Sequence, residues 1–160
     1  MDYKFGTYLR NGKFMLRYLC FSLYLISTIA WAITPDTHYL STPANFALPY
    51  TQITVNTTDG YELNTWIIPS TVKQSSKRVL VMAYGDTGNM SYWLTQAQAF
   101  CNKGYTLILF DYRGFGKSSY FAINPNFLYY NEFGTDLACI IEWAKEQFVG
   151  QKVGIYAFSM

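Results

Sequence analysis

The chain has 160 residues, of which 51% are hydrophobic and 14% are charged. This composition excludes an intrinsically disordered chain and is typical of a globular protein. The net charge is only +2, and the positive excess lies before residue 33, where four basic residues accompany one acidic residue. A nucleic-acid partner is not expected, because the remaining chain contains no cluster of lysine and arginine.

The N-terminal segment is predicted to direct export. Its basic residues lie within 1–17, and a mostly apolar, uncharged run over 18–32 follows and ends in the sequence Ala-Trp-Ala at Ala32. This order is typical of a secretory signal peptide, so we expect a periplasmic or secreted mature chain that begins at Ile33. The alternative is an uncleaved N-terminal anchor that holds the protein at a membrane through residues 18–32, although about 15 apolar residues is short for a membrane span.

The next segments predict a connector followed by strands. Residues 33–51 are interpreted as the connector. Gln52–Thr57 and Tyr61–Ile68 are β-rich runs joined at an Asp-Gly step, which is typical of an antiparallel hairpin. Val79–Ala83 is a short, continuous apolar run, and such runs are typical of buried parallel strands.

Helices and strands alternate in the remainder of the chain. Apolar residues at helical spacing predict an amphipathic helix over Ser91–Lys103, and the buried strand Tyr105–Phe110 follows. A second helix is predicted to begin with Asn131 as its N-cap and to end at Gly150. The apolar strand Lys152–Phe158 comes next. This alternation predicts an α/β fold with a mostly parallel sheet and helices on both of its faces.

A serine, Ser159, directly follows the last predicted strand. At this place in an α/β sheet, a sharp strand-to-helix turn can expose a serine hydroxyl as a nucleophile. That turn needs a small residue two positions before the serine, and Ala157 meets this requirement. The pattern alone has low specificity, because serines are common at the ends of strands.

Four segments of the chain resemble the α/β-hydrolase superfamily, in its serine-aminopeptidase-like and lipase-related branch. They resemble, in the family's order, the opening hairpin, the oxyanion loop, the segment after strand four and the nucleophile elbow. The segments are TDGYEL (58–63) with WIIP (66–69), YGDTGN (84–89), GYTLILFDYRGFGKS (104–118) and VGIYAFSM (153–160). The resemblance implies that residues 52–160 are the N-terminal part of an α/β-hydrolase domain. It also implies that residues 111–114 make a tight turn at the end of a strand, with a mainly structural role.

The resemblance also implies a chemistry. A serine hydrolase would cleave an ester, thioester or amide of a small molecule, lipid or peptide through an acyl-enzyme at Ser159, without a metal or cofactor. The backbone N–H groups of Asp86 and Met160 are expected to hold the oxyanion. The family usually has asparagine where Asp86 stands and histidine where Tyr84 stands. A carboxylate at this position would oppose the developing negative charge unless its side chain turns away.

The general base is the part of this chemistry that the sequence does not supply. The acid and histidine of the family's triad follow the serine along the chain, so both are expected beyond Met160. The only histidine, His38, lies in the predicted connector. Because a serine hydroxyl is a weak nucleophile until a base takes its proton, this chain alone is expected to be inactive. The alternative is a non-catalytic truncated product or a binding module on a hydrolase scaffold.

Overall fold

The computed structural model describes residues 33–72 and 77–159. The predicted signal or anchor segment and Met160 lie outside these ranges. No helix within the described ranges is long and apolar enough to cross a membrane.

The described residues form seven strands and two α-helices. Two short 3₁₀ turns, Pro43–Phe46 and Met90–Trp93, lie between them. The strands are β1 (Thr34–Pro35), β2 (Thr51–Asn56), β3 (Glu62–Ile68), β4 (Arg78–Ala83), β5 (Thr87–Gly88), β6 (Thr106–Phe110) and β7 (Lys152–Ala157), and the helices are α1 (Leu94–Cys101) and α2 (Tyr130–Gln147).

Five of these strands form a mixed sheet in the order β2-β3-β6-β4-β7. β2 and β3 are antiparallel, which confirms the predicted hairpin, and β3 is also antiparallel to β6. β4 runs parallel to both β6 and β7, as the three apolar runs predicted. Since parallel neighbours end at the same edge of a sheet, the loops after these three strands meet there.

The connector packs into the domain. β1 pairs in parallel with β5, and Ile33 and Leu48 are buried in the hydrophobic core. Residues 33–51 therefore contribute to the same compact unit as the sheet. Backbone groups and side chains of this segment also form hydrogen bonds with the loops after β4 and β6.

The start of α2 differs from the prediction. Asn131 is not the N-cap, because the helix begins at Tyr130 and is preceded by Tyr129, which makes no side-chain cap. The Tyr129 ring instead packs edge-on against Phe121 at 5.0 Å, and its hydroxyl accepts a hydrogen bond from the Asn124 N–H at 2.9 Å. Aromatic packing thus accompanies the start of this helix in place of a side-chain cap.

A buried arginine joins three parts of the domain. The Arg113 guanidinium, in the loop after β6, donates to the carboxylates of Asp59 in the hairpin turn and Asp136 on α2, each at 2.6 Å. It also lies 4.0 Å from the centre of the Tyr61 ring. Since Arg113 and Asp136 are both fully buried, these contacts fix the hairpin turn against α2.

Candidate active site

Ser159 lies at the end of β7 in an unusual backbone conformation. The last strand pair joins Ala157 to Ala83, and the Phe158 N–H donates to the Ala83 carbonyl oxygen at 3.1 Å. The next residue, Ser159, is exposed and has a φ of 51°. Positive φ is uncommon for residues other than glycine, and such strain concentrates at functional sites.

The loop after β4 contacts the backbone of this serine. A Cβ atom on Gly85 would lie 2.2 Å from the Ser159 carbonyl oxygen, a distance that no side chain tolerates. Only glycine therefore permits this close approach of two backbones. The structure brings together Ser159 and the 84–89 segment, which the resemblance identified as nucleophile elbow and oxyanion loop.

The connector holds the 84–89 segment, the predicted oxyanion loop, in place. The Thr34 N–H donates to the carbonyl oxygen of Asp86, and the Asp36 N–H donates to that of Gly88, each at 2.9 Å. The buried Asn89 side chain donates to the His38 carbonyl oxygen at 2.7 Å. The imidazole of His38 is exposed. His38 thus contributes its backbone to the support of the loop.

A buried carboxylate anchors the loop from behind. Asp111, directly after β6, accepts hydrogen bonds at Oδ1 from the Tyr84 hydroxyl at 3.0 Å and from the Met90 N–H at 2.9 Å. Its Oδ2 accepts from the Tyr39 hydroxyl and, at 3.3 Å, from the Lys117 N–H. Because Tyr84 is the first residue of the loop and Met90 directly follows it, this carboxylate fixes both ends of the loop.

Burial raises the pKa values of two groups in this cluster. It raises the pKa of the Asp111 carboxyl, and the hydrogen bonds from Tyr39, Met90, Lys117 and Tyr84 oppose that shift. Burial also raises the pKa of the Tyr84 phenol, so this hydroxyl stays a donor. Tyr84 therefore makes its bond to Asp111 from the position where the family usually has histidine.

The sequence had suggested only a tight turn for residues 111–114. A turn is present, since the Phe115 N–H donates to the Tyr112 carbonyl oxygen at 2.9 Å. The additional role of Asp111 behind the oxyanion loop was missed. The available signal was a carboxylate directly after an apolar strand, because a buried charge needs partners.

Within 33–72 and 77–159, no group of three or more His, Cys, Asp or Glu residues is arranged to hold a metal ion. Every buried side-chain nitrogen and oxygen in the same ranges has a hydrogen-bond partner.

Known proteins resemble both the sequence and the fold. The uncharacterized protein YfhR of Escherichia coli is 29% identical over 109 residues, which are 66% of this chain and 37% of YfhR. An esterase of Pyrococcus furiosus superposes with a TM-score of 0.65 and 22% identity, covering 81% of this chain and 48% of the esterase. A serine hydrolase without a lid from Xanthomonas campestris superposes with a TM-score of 0.59 and 19% identity, covering 69% of this chain and 50% of that protein.

The chain thus spans little more than a third of YfhR and about half of each of the two solved structures. The predicted fold class is confirmed by these superpositions. In addition, residues 78–160 match the sequence model of the alpha/beta hydrolase fold family. That match covers more than half of the residues of this chain, and the chain therefore belongs to the alpha/beta hydrolase fold family.

Proposed function

We propose that this chain carries the nucleophile and part of the oxyanion hole of a serine hydrolase that cleaves an ester, thioester or amide. The main support is the contact between the exposed, positive-φ Ser159 and Gly85 of the oxyanion loop. A nucleophile and an oxyanion donor must flank the same carbonyl group, and the close approach of the two backbones supports this proposal.

The proposed reaction proceeds through an acyl-enzyme. The Ser159 hydroxyl attacks the substrate carbonyl carbon while a general base takes its proton, and the Asp86 N–H stabilises the resulting oxyanion. The bond to the leaving group then breaks, and the protonated base returns its proton to that group. Water, activated by the same base, releases the acid and restores the serine.

The base and the residue that orients it are proposed to lie in the part of the full-length protein that follows this chain. Here, the full-length protein means a polypeptide that contains these 160 residues and also supplies the proposed base and the residue that orients it. The experiments below use it, because the proposed base is needed for turnover.

Active-site labelling tests the proposal. A fluorophosphonate probe should modify the full-length protein, and mass spectrometry should locate the adduct on the peptide that contains Ser159. The Ser159→Ala variant should not react, whereas Ser70→Ala, which removes a hydroxyl in the loop after β3, should react as the wild type does. Labelling that persists in Ser159→Ala contradicts the assignment, and an unreactive wild type favours a non-catalytic binding module.

Asp86→Asn should increase the rate of acylation. The variant keeps the backbone N–H but removes a negative charge beside the position proposed for the oxyanion, so kcat for p-nitrophenyl acetate should rise about fivefold. Glu146→Gln, which makes the same charge change in the groove between α2 and β2, should leave kcat unaltered. If kcat of Asp86→Asn is unchanged, the Asp86 carboxylate does not act on the oxyanion.

A further inference from the structure

A cavity of about 130 Å³ lies between the oxyanion loop and the first two turns of α2. Its wall is formed mainly by apolar side chains, and among the described residues that line it Asp86 is the only charged one. The lining residues that matter here are Ile33, Asp86, Leu128, Phe133, Gly134 and Leu137.

The cavity and the proposed catalytic site share one residue. Asp86 lines the cavity and also supplies the proposed oxyanion N–H, while the preceding residue, Gly85, contacts Ser159. A substituent on a carbonyl carbon that Ser159 attacks would therefore have this cavity beside it. The cavity wall is apolar, which is the common character of pockets for small ligands.

The size and surroundings of the cavity indicate what it holds. An apolar cavity of roughly 150 Å³ is large enough to stay dry and bind benzene, so this one fits a group of about six carbons. At its mouth, Leu128 and Tyr130 expose 44% and 69% of their surface. Exposed apolar side chains around a cavity are typical of ligand-binding grooves.

We propose that this cavity binds the apolar acyl group of the substrate, with up to about six carbons, and that Gly134 keeps its mouth open. The inference rests on the proposed function, because it assumes attack by Ser159. The Asp86 carboxylate excludes acyl groups that carry a negative charge of their own, since two like charges repel strongly beside an apolar wall. The substrate class is therefore a neutral ester, thioester or amide of a short or cyclic apolar acid.

Gly134 offers a way to test this. A Cβ atom at this position would have no neighbour within 4 Å beyond the adjacent backbone of its own helix, so a side chain can start here without a clash. Side chains on a helix point towards its N-terminus, and a leucine here would extend over Tyr130 at the mouth of the cavity. Leucine also favours the helix more than glycine does, so the variant should fold.

The first experiment compares acyl groups. In the full-length protein, Gly134→Leu should lower the ratio of kcat/KM for p-nitrophenyl hexanoate to that for p-nitrophenyl acetate by about 10- to 100-fold. Gly134→Ala should change the ratio less, because its methyl group is small. Ala138→Leu adds the same side chain one turn later, at the groove that Thr54 and Trp143 line, and should not change the ratio. An equal ratio in Gly134→Leu and wild type overturns the inference.

The second experiment separates the cavity from the chemistry. Saturation-transfer NMR should detect methyl hexanoate bound to the Ser159→Ala protein, and the additional change Gly134→Leu should weaken this binding about tenfold. Binding that is absent, or that Gly134→Leu does not affect, overturns the inference. Gly134-sensitive binding in a wild type that shows no Ser159-dependent hydrolysis contradicts the proposed function while supporting the cavity's ligand class.

Discussion

Ser159→Ala should lower kcat of the full-length protein for p-nitrophenyl hexanoate by at least about a thousandfold. The variant removes only the hydroxyl that would form the acyl-enzyme, so the covalent route is lost. Its fold should persist, because alanine keeps the Cβ atom and Ser159 is exposed. Initial rates at pH 8 measure the effect, and the free energy of unfolding in urea should equal that of the wild type.

Ser159→Gly serves as the matched variant for backbone strain. It should be as inactive as Ser159→Ala, yet more stable by about 1 kcal/mol, because glycine adopts the observed φ of 51° without the steric cost of a Cβ atom. This pair separates the chemical role of the hydroxyl from the strain of the turn. A rate in either variant within tenfold of the wild type would show that another group performs the attack.

The strands could be predicted because each has a local signal. The continuous apolar runs that became β4 and β6 are the sequence signature of strands buried on both faces. The run that became β7 has the same signature, but this strand lies at the end of the strand order and its residues are exposed or half-buried. The Asp-Gly step between β2 and β3 favours a tight turn, and Gly60 indeed has a φ of 92°. Such signals depend on neighbouring residues, so no knowledge of the tertiary structure was needed.

The site was predicted only in part. That Ser159 and the 84–89 loop meet was implied by the family resemblance, because apolar periodicity contains no information about which loops are adjacent. The contact requires β7 to pair with β4, and this order of strands follows from the whole sheet.

The support behind the oxyanion loop was not predictable from local patterns. Asp111 binds Tyr84 and Tyr39, which are 27 and 72 residues earlier in the chain. Tyr39 belongs to a segment whose composition indicated only a connector. A polar contact over such a distance is specified by tertiary packing, which also placed the start of α2 at Tyr130.

Arg113→Met should lower the free energy of unfolding by about 3–5 kcal/mol. Methionine retains much of the apolar volume but leaves the buried Asp136 carboxylate without the guanidinium. The backbone N–H of residue 113, which lies 2.9 Å from Asp136 in the wild type, still donates to it. An unpaired charge in the interior costs far more than the loss of an exposed ion pair. Unfolding in urea measures the difference.

Two further variants identify the cause. Arg78→Met removes an arginine that lies 6.0 Å from the Tyr105 ring but is exposed, so its cost should stay below about 0.5 kcal/mol. Adding Asp136→Asn to Arg113→Met should restore part of the lost stability, because the amide carries no charge to leave unpaired. Equal losses in Arg113→Met and Arg78→Met would contradict the importance of the buried pair.

The stability deficit of Arg113→Met should depend on pH in a definite direction. In the wild type, hydrogen bonds from Arg113 and Thr57 lower the pKa of Asp59 to about 2. The usual value in an unfolded chain is about 3.9, so this contribution is complete above about pH 4 and is lost as the pH falls towards 2. In the variant, protonation also relieves the unpaired charge of Asp136. Both effects reduce the difference in the free energy of unfolding between wild type and Arg113→Met at acid pH. A stability deficit that grows below pH 4 would exclude the ion pairs as its source.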